Sequence, residues 1–193
     1  SLVVRYNCFD ANCEVKGSKK VGLQKSTLKN GLFTKPQDCP MAIQDEISLS
    51  NFSSLQDNSK AIEYLQKVQC YDLYEQKHID VRYDIKQERV VFVVKELDGN
   101  RNVNAVGRTL RSNGKPKWFK YAKTSADYKI GSGSIAVLVE DIPSACVVSK
   151  LHEVVGIALC GTILSQLLLN HLVKTNYSKI FVCLDKDAAL KSI

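Results

Sequence analysis

The sequence predicts two folded parts in series: an α+β unit made of a short helix and an antiparallel β-meander, then an α/β unit built on a parallel sheet. Three observations predict it. Between residues 79 and 121 short runs rich in Val, Tyr and Ile are separated by turns containing Asp98-Gly99 and Asn113-Gly114, dipeptides that suit tight hairpins. From Ser134 onward the apolar runs become nearly continuous in Val, Ile and Leu, as expected of strands covered by helices on both faces. Each of those runs ends in a polar residue or glycine and leads into a helix-like segment, the order of a parallel sheet with crossover helices.

Taken in order, residues 1–24 hold Cys8 and Cys13, separated by four residues, a spacing allowed for one knuckle of a zinc ribbon. A tetrahedral site needs four ligands, and Cys39 and His78 are distant substitutes without motif support, so two free thiols stand as the plainer alternative. Residues 25–58, rich in Ser, Asn, Asp and Lys with Pro36 and Pro40, read as a linker with little regular structure. Residues 59–130 begin with a helix over Lys60 to Lys67, capped by Asn58-Ser59, whose Ile62, Leu65 and Val68 make one apolar face; Tyr71, Leu73 and Tyr74 extend it after a break. This helix reads as a packing element. The meander strands follow at Val81 to Ile85, Val90 to Val94, Val103 to Leu110 and Lys117 to Tyr121.

Residues 131–193 form the second unit. Tyr128 to Ser134 (YKIGSGS) reads as a glycine-serine joint into it and lacks the spacing of a Walker loop. Strands are expected at Ile135 to Val139, Val154 to Leu159 and Lys179 to Leu184. A helix begins near Pro143, because proline suits a first turn, and Gly161-Thr162 offers a turn and cap for the next.

The composition bounds the partners. With 193 residues, 45% of them hydrophobic and 24% charged, the chain can bury a sizeable core. No apolar run approaches a membrane span and no secretory signal opens the chain, so a cytoplasmic protein with no membrane partner is expected. The net charge of +7 favours an anionic partner, nucleic acid being the commonest. Seven cysteines, an odd number scattered through strands and loops, suggest reduced thiols.

Chemistry concentrates at the strand ends of the second unit. Parallel sheets place ligands at their carboxyl edge, and there the sequence sets Glu140 after the first strand and Asp185 and Asp187 after the third. Asp185 and Asp187 are two apart, so an extended backbone turns both the same way. Carboxylates sharing one crevice repel unless a cation neutralises them, and hard oxygen ligands favour Mg2+ or Mn2+. An isolated Asp-x-Asp is usually a solvated strand end; the ordered set on a matching pattern is what points to a metal site. In the meander, Arg108, Arg111, Lys115, Lys117 and Lys120 lie on or beside two adjacent strands with Trp118, Phe119 and Tyr121 interleaved. Such a surface can neutralise phosphates while aromatics stack on bases; the alternative is a solvated basic face with aromatics in the core.

The order Glu, Gly, Asp-x-Asp resembles the TOPRIM domain shared by primases, type IA and II topoisomerases and some nucleases. Within that superfamily VLVEDIPSACVVSK, IALCGTILS and FVCLDKDAA are most similar to the primase domains of T-odd-type phage primase-helicases. RYDIKQERVVFVV and AVGRTLRSNGKPKWFKY resemble the subdomain that precedes TOPRIM in those primases. The resemblance implies a Rossmann-like TOPRIM sheet behind the meander, and a DNA primase region that makes short RNA primers on single-stranded DNA from ribonucleotides. It implies Mg2+ or Mn2+ at Glu140, Asp185 and Asp187, with Glu140 either a metal ligand or the general base. Arg108, Arg111, Lys117, Lys120 and Trp118 would grip template or nucleotide, Cys8 and Cys13 would be half of a Zn2+ ribbon, and a replicative helicase in a bacterial host's cytoplasm would be a partner. A TOPRIM nuclease uses the same acids, and a binding module in replication would use the basic surface without catalysis. His78, His152 and His171 offer no evident base.

Overall fold

The computed structural model describes residues 2–7, 16–21, 45–56, 58–161 and 164–184, with side chains from residue 45 onward. Residues 89–95 (RVVFVVK) are the richest β-branched stretch of the meander, and they form its central strand. The antiparallel sheet runs in the order β3 (Ser53–Ser54), β4 (Val81–Asp84), β5 (Arg89–Lys95), β6 (Asn102–Thr109) and β7 (Trp118–Lys120). Register places Phe92 opposite both Val81 and Val106, and Trp118 opposite Arg108. Side chains alternate across a strand, so Val90, Phe92 and Val94 share one face and enter the core fully buried.

That face is covered by α1 (Ser59–Lys67), which inserts Ala61 and Leu65. Asn58 caps it, its Oδ1 accepting from the Ala61 N–H at 3.0 Å, as expected of this residue type. A short helix, α2 (Tyr71–Glu75), follows.

The second sheet has the order β11 (Lys179–Cys183), β9 (Ile135–Val139), β10 (Val154–Ala158) and β8 (Tyr128–Gly131). β9 pairs parallel with both β10 and β11, as the continuous apolar runs predict. β8 is antiparallel to β10, so the sheet is mixed. Its two faces are divided by the strand period: Val137, Val139, Val154 and Ala158 join the meander's core, while Ala136, Leu138, Val155 and Ile157 form a second cluster with Leu168 and Leu172. Helix α3 (Ile142–Val148) packs on the first face and α4 (Gln166–Thr175) on the second. Each fully buried apolar side chain of this size contributes about 1.5–3 kcal/mol. Asp98, in the turn after β5, binds His171 Nδ1 at 2.6 Å and Lys174 Nζ at 3.1 Å, holding α4 against the meander. Burial pushes the His171 pKa down, and Lys129 adds to the fall despite Asp98 beside it.

Several expectations change. The joint at residues 128–134 begins with the strand β8, in which Tyr128 and Ile130 alternate inward with Lys129 between them. The glycines mark where that strand ends: Gly131 and Gly133 have φ of 89° and 146°, beyond ordinary L side chains. α4 is capped by Ser165, whose Oγ accepts from Leu168 N at 3.0 Å, and not by Gly161-Thr162. Within the expected linker, residues 45–56 include β3 and the fully buried Leu55, because the neighbouring sheet edge supplies partners that local sequence does not reveal. Ile85 leaves the strand for a turn and is 67% exposed. The remaining strands and helices fall within a few residues of their expected spans.

At the chain's start β1 (Leu2–Asn7) and β2 (Lys16–Val21) pair antiparallel, and β1 approaches β11 to within 8 Å between Cα atoms. Cys8 and Cys13, in the intervening stretch, lie outside the described residues. Among the described residues no helix is long and apolar enough to cross a membrane.

Gly156 sets the distance between α3 and the sheet: a Cβ there would meet the Ala145 carbonyl oxygen at 2.1 Å. Gly156→Ala is expected to destabilise the fold by about 1–3 kcal/mol through overpacking, measured by urea unfolding. Gly161→Ala, whose Cβ meets nothing nearer than 3.8 Å, is the control expected to leave stability unchanged.

Candidate nucleic-acid and nucleotide site

The pleat decides where the meander's basic residues point. Arg108 and Trp118 are cross-strand partners on the core-facing side of the sheet, and the Arg108 guanidinium lies over the Trp118 ring at 5.4 Å from its centroid, a cation–π arrangement. Trp118 in turn leans on the buried Phe92. The pair forms one wall of a groove of about 760 Å³ between the two units. Tyr64 and Lys67 of α1 form a second wall, and Asp141 and Ser144 at the start of α3 a third.

Arg108 is the unusual member. Its Nε is buried and has no hydrogen-bond partner among the described residues. A buried donor left unmade costs about 1–3 kcal/mol. Burial holds the Tyr64 hydroxyl well above the ordinary phenol range, and the nearby Arg108 charge pulls it back. Asp141 is occupied as the cap of α3, its Oδ1 accepting from Ser144 N at 2.9 Å. The basic edge continues outward along a second depression lined by Arg108, Arg111, Lys115 and Lys117. Arg111 meets Glu88 at 3.1 Å, a half-exposed pair, which contributes little.

Lys120 has a different position. It shares the core-facing side with Trp118 and reaches the carboxyl edge of the parallel sheet, where its Nζ lies 3.8 Å from a Cβ built on Gly161. Burial pushes the Cys160 thiol up to about 12, against the pull of Lys120. Asp127 is 5% exposed and its pKa is raised by burial, with Ser165, Ser125 and Lys120 acting in the opposite direction. It accepts from Ser125 and from the α4 cap Ser165, so it ties the segment before β8 to the loop after β10.

Glu140 follows directly on β9 at that same edge, half-buried, with its carbonyl accepting from Cys160 N at 2.9 Å. Register makes Val139 of β9 level with Cys183 of β11. Asp185 and Asp187 lie outside the described residues, which hold no convergent group of three His, Cys, Asp or Glu side chains. The structure therefore brings Arg108, Arg111, Trp118 and Lys117 to one connected surface and Lys120 and Glu140 to the adjoining sheet edge. Tyr64 and Lys67 join the groove without having been expected there. The cue available was helical spacing, since positions 64, 67 and 68 share a face.

Among known proteins, no family model and no curated protein matches the chain. Solved structures do. The zinc-binding and RNA polymerase domains of the Aquifex aeolicus primase match at 19% identity and TM-score 0.45, over 72% of this chain and 40% of that one. A DnaG primase catalytic domain bound to single-stranded DNA matches at 17% identity and TM-score 0.49, over 72% and 61%. A DnaG catalytic core matches at 16% identity and TM-score 0.44, over 73% and 50%. The chain thus spans 40–61% of the length of these structures.

Trp118 is the only tryptophan, so its emission reports the groove directly. Titration with inorganic tripolyphosphate is expected to change Trp118 fluorescence saturably, and Arg108→Ala to weaken that response about tenfold through loss of a charge-assisted hydrogen bond. An unaltered titration curve in the variant removes Arg108 from the site.

Proposed function

We propose that this chain is the catalytic region of a DNA primase, joining ribonucleotides into short primers on a single-stranded DNA template. The observation that carries the reading is Arg108, stacked on Trp118 in a groove that Lys67, Tyr64 and Arg111 also line and that Asp141, the residue after Glu140, closes at the start of α3. A phosphate oxygen is a natural acceptor for the Arg108 guanidinium. Arg111, Lys115 and Lys117 extend the positive surface outward for a template strand, while Lys67 and Arg108 grip the triphosphate. In the transfer the primer 3′-hydroxyl oxygen bonds to the α-phosphorus of the incoming nucleotide, and the bond from that phosphorus to the departing pyrophosphate breaks. The hydroxyl proton passes to a base, for which Glu140 is the candidate.

The donor set also fits a divalent cation. β9 and β11 are adjacent, parallel and in register, and the acids that follow them in sequence, Glu140 with Asp185 and Asp187, are hard oxygen donors suited to Mg2+ or Mn2+. When bound, the ion would neutralise charge on the transferring phosphates. Lys120 then stands at the same edge to receive a leaving pyrophosphate. The Zn2+ ribbon half at Cys8 and Cys13, the helicase partner, the phage origin and the cytoplasmic location remain parts of this proposal that rest on the sequence resemblance alone.

The test is primer synthesis on single-stranded DNA with ribonucleotides and Mg2+ or Mn2+, using the chain and the full-length protein containing it. Oligoribonucleotide products are expected, with Asp185→Ala lowering the rate at least about 100-fold and abolishing Mn2+ binding. DNA cleavage without such products identifies a nuclease instead, and template binding alone a non-catalytic module. Separately, Arg111→Ala and Lys117→Ala are each expected to lower the slope of log affinity against log salt for single-stranded DNA by about 0.7, the value for one lost phosphate contact. An unchanged slope rejects that contact.

A further inference from the structure

On the other side of α1 lies a groove of about 840 Å³ that shares no lining residue with the one described above. Its apolar surface is made by Ile62 of α1 with Tyr71 and Tyr74 of α2, the two tyrosine rings 6.3 Å apart, over the buried Val81. Its charges sort into two groups. Asp80 is held by Arg82 at 2.7 Å, and Glu75 is hydrogen-bonded to the Tyr71 hydroxyl, raising that hydroxyl's pKa. The Lys129 ammonium donates to the Leu97 carbonyl. What remains uncommitted at the rim is cationic: Lys77 and Lys95, both exposed and with no partner among the described residues.

We propose that this groove docks a partner protein through an acidic segment carrying at least one aromatic or aliphatic side chain. The apolar side chain would enter between Ile62, Tyr71 and Tyr74, and carboxylates on either side would pair with Lys77 and Lys95. Charge complementarity selects this occupant over two others. The stretch 22–44 of the same chain carries Lys25, Lys29 and Lys35 against the single acid Asp38, the wrong sign for the rim. A nucleic-acid strand needs a continuous line of cations, whereas here Asp80 and Glu75 interrupt it and the centre is aromatic and aliphatic. Two lysines spaced around an apolar centre match a segment of alternating acidic and apolar character, in which the rim charges govern encounter and the buried anchor governs residence.

The inference does not depend on primase activity, and its test does not use it. Random dodecapeptides displayed on phage are selected on the immobilised full chain. Enriched peptides are synthesised with a fluorophore and titrated against the wild type and a Lys77→Glu, Lys95→Glu double variant. Both positions are exposed, so the variant is expected to keep the wild-type circular dichroism and unfolding midpoint. Enriched sequences are expected to be net acidic with an aromatic or aliphatic anchor, and to bind the double variant at least about tenfold more weakly. Tyr74→Phe is expected to retain binding, because it keeps the ring. The proposal is overturned if no acidic sequence is enriched, if the double variant binds the enriched peptides as tightly as the wild type, or if a single-stranded oligonucleotide displaces them in a way that Arg111→Ala weakens.

Discussion

A shared apolar core, reached from both sheets, is the constraint on which this molecule depends. Val90, Phe92 and Val94 of the meander, Leu65 of α1, Ile142 and Cys146 of α3, and Val137 and Val139 of the parallel sheet belong to one buried cluster. Packed interiors behave like close-packed solids and transmit displacement. The two units are therefore locked together, and the groove between Arg108 and Asp141 is a fixed feature of the fold. The clasp on the other side, Asp98 with His171 and Lys174, holds α4 to the same framework by polar means.

The position of the basic residues follows from that lock. A cation on a free-standing sheet is solvated and contributes little recognition. Arg108 instead sits on the face that the second unit covers and lines the groove there, while Lys120, on the same face but exposed, reaches the strand ends of the parallel sheet. Arg111, Lys115 and Lys117 remain in water, where charge acts at longer range and is screened by salt. One surface thus carries an inner part suited to holding an anion in a defined place and an outer part suited to attracting one.

Much of the architecture was legible in the sequence because it is written in short-range patterns. The parallel strands emerged from continuous Val and Ile runs, the meander from Asp-Gly and Asn-Gly turns, the cap of α1 from Asn58 and the start of α3 from Pro143. What was hidden depends on neighbours distant in the chain. β8 is a strand because β10 offers it an antiparallel edge, and four residues ending in glycine carry too few alternations to reveal this. β3 and Leu55 are ordered by β4 and by the core. The site was legible as a set of residue types and only partly as a place. Trp118 and Lys120 are two apart and so share a strand face, but no local rule says which face is covered, and Tyr64 and Lys67 enter the groove only because α1 packs on that covered face. The acids at residues 185 and 187 stay a matter of sequence pattern, with the level ends of β9 and β11 as their structural support.

The hairpin at the start of the chain has a consequence for self-association. Among the described residues β11 is the outermost strand of its sheet, with only β9 bonded to it. An unguarded edge of that kind is a template for pairing with another chain. β1 runs close beside it, so the first residues act as a guard rail along that edge. At the opposite edge β8 lies close to β5 of the meander, whose bulk obstructs approach there. Trimming the hairpin while sparing every candidate catalytic residue would thus leave the chemistry's parts in place and expose an adhesive strand.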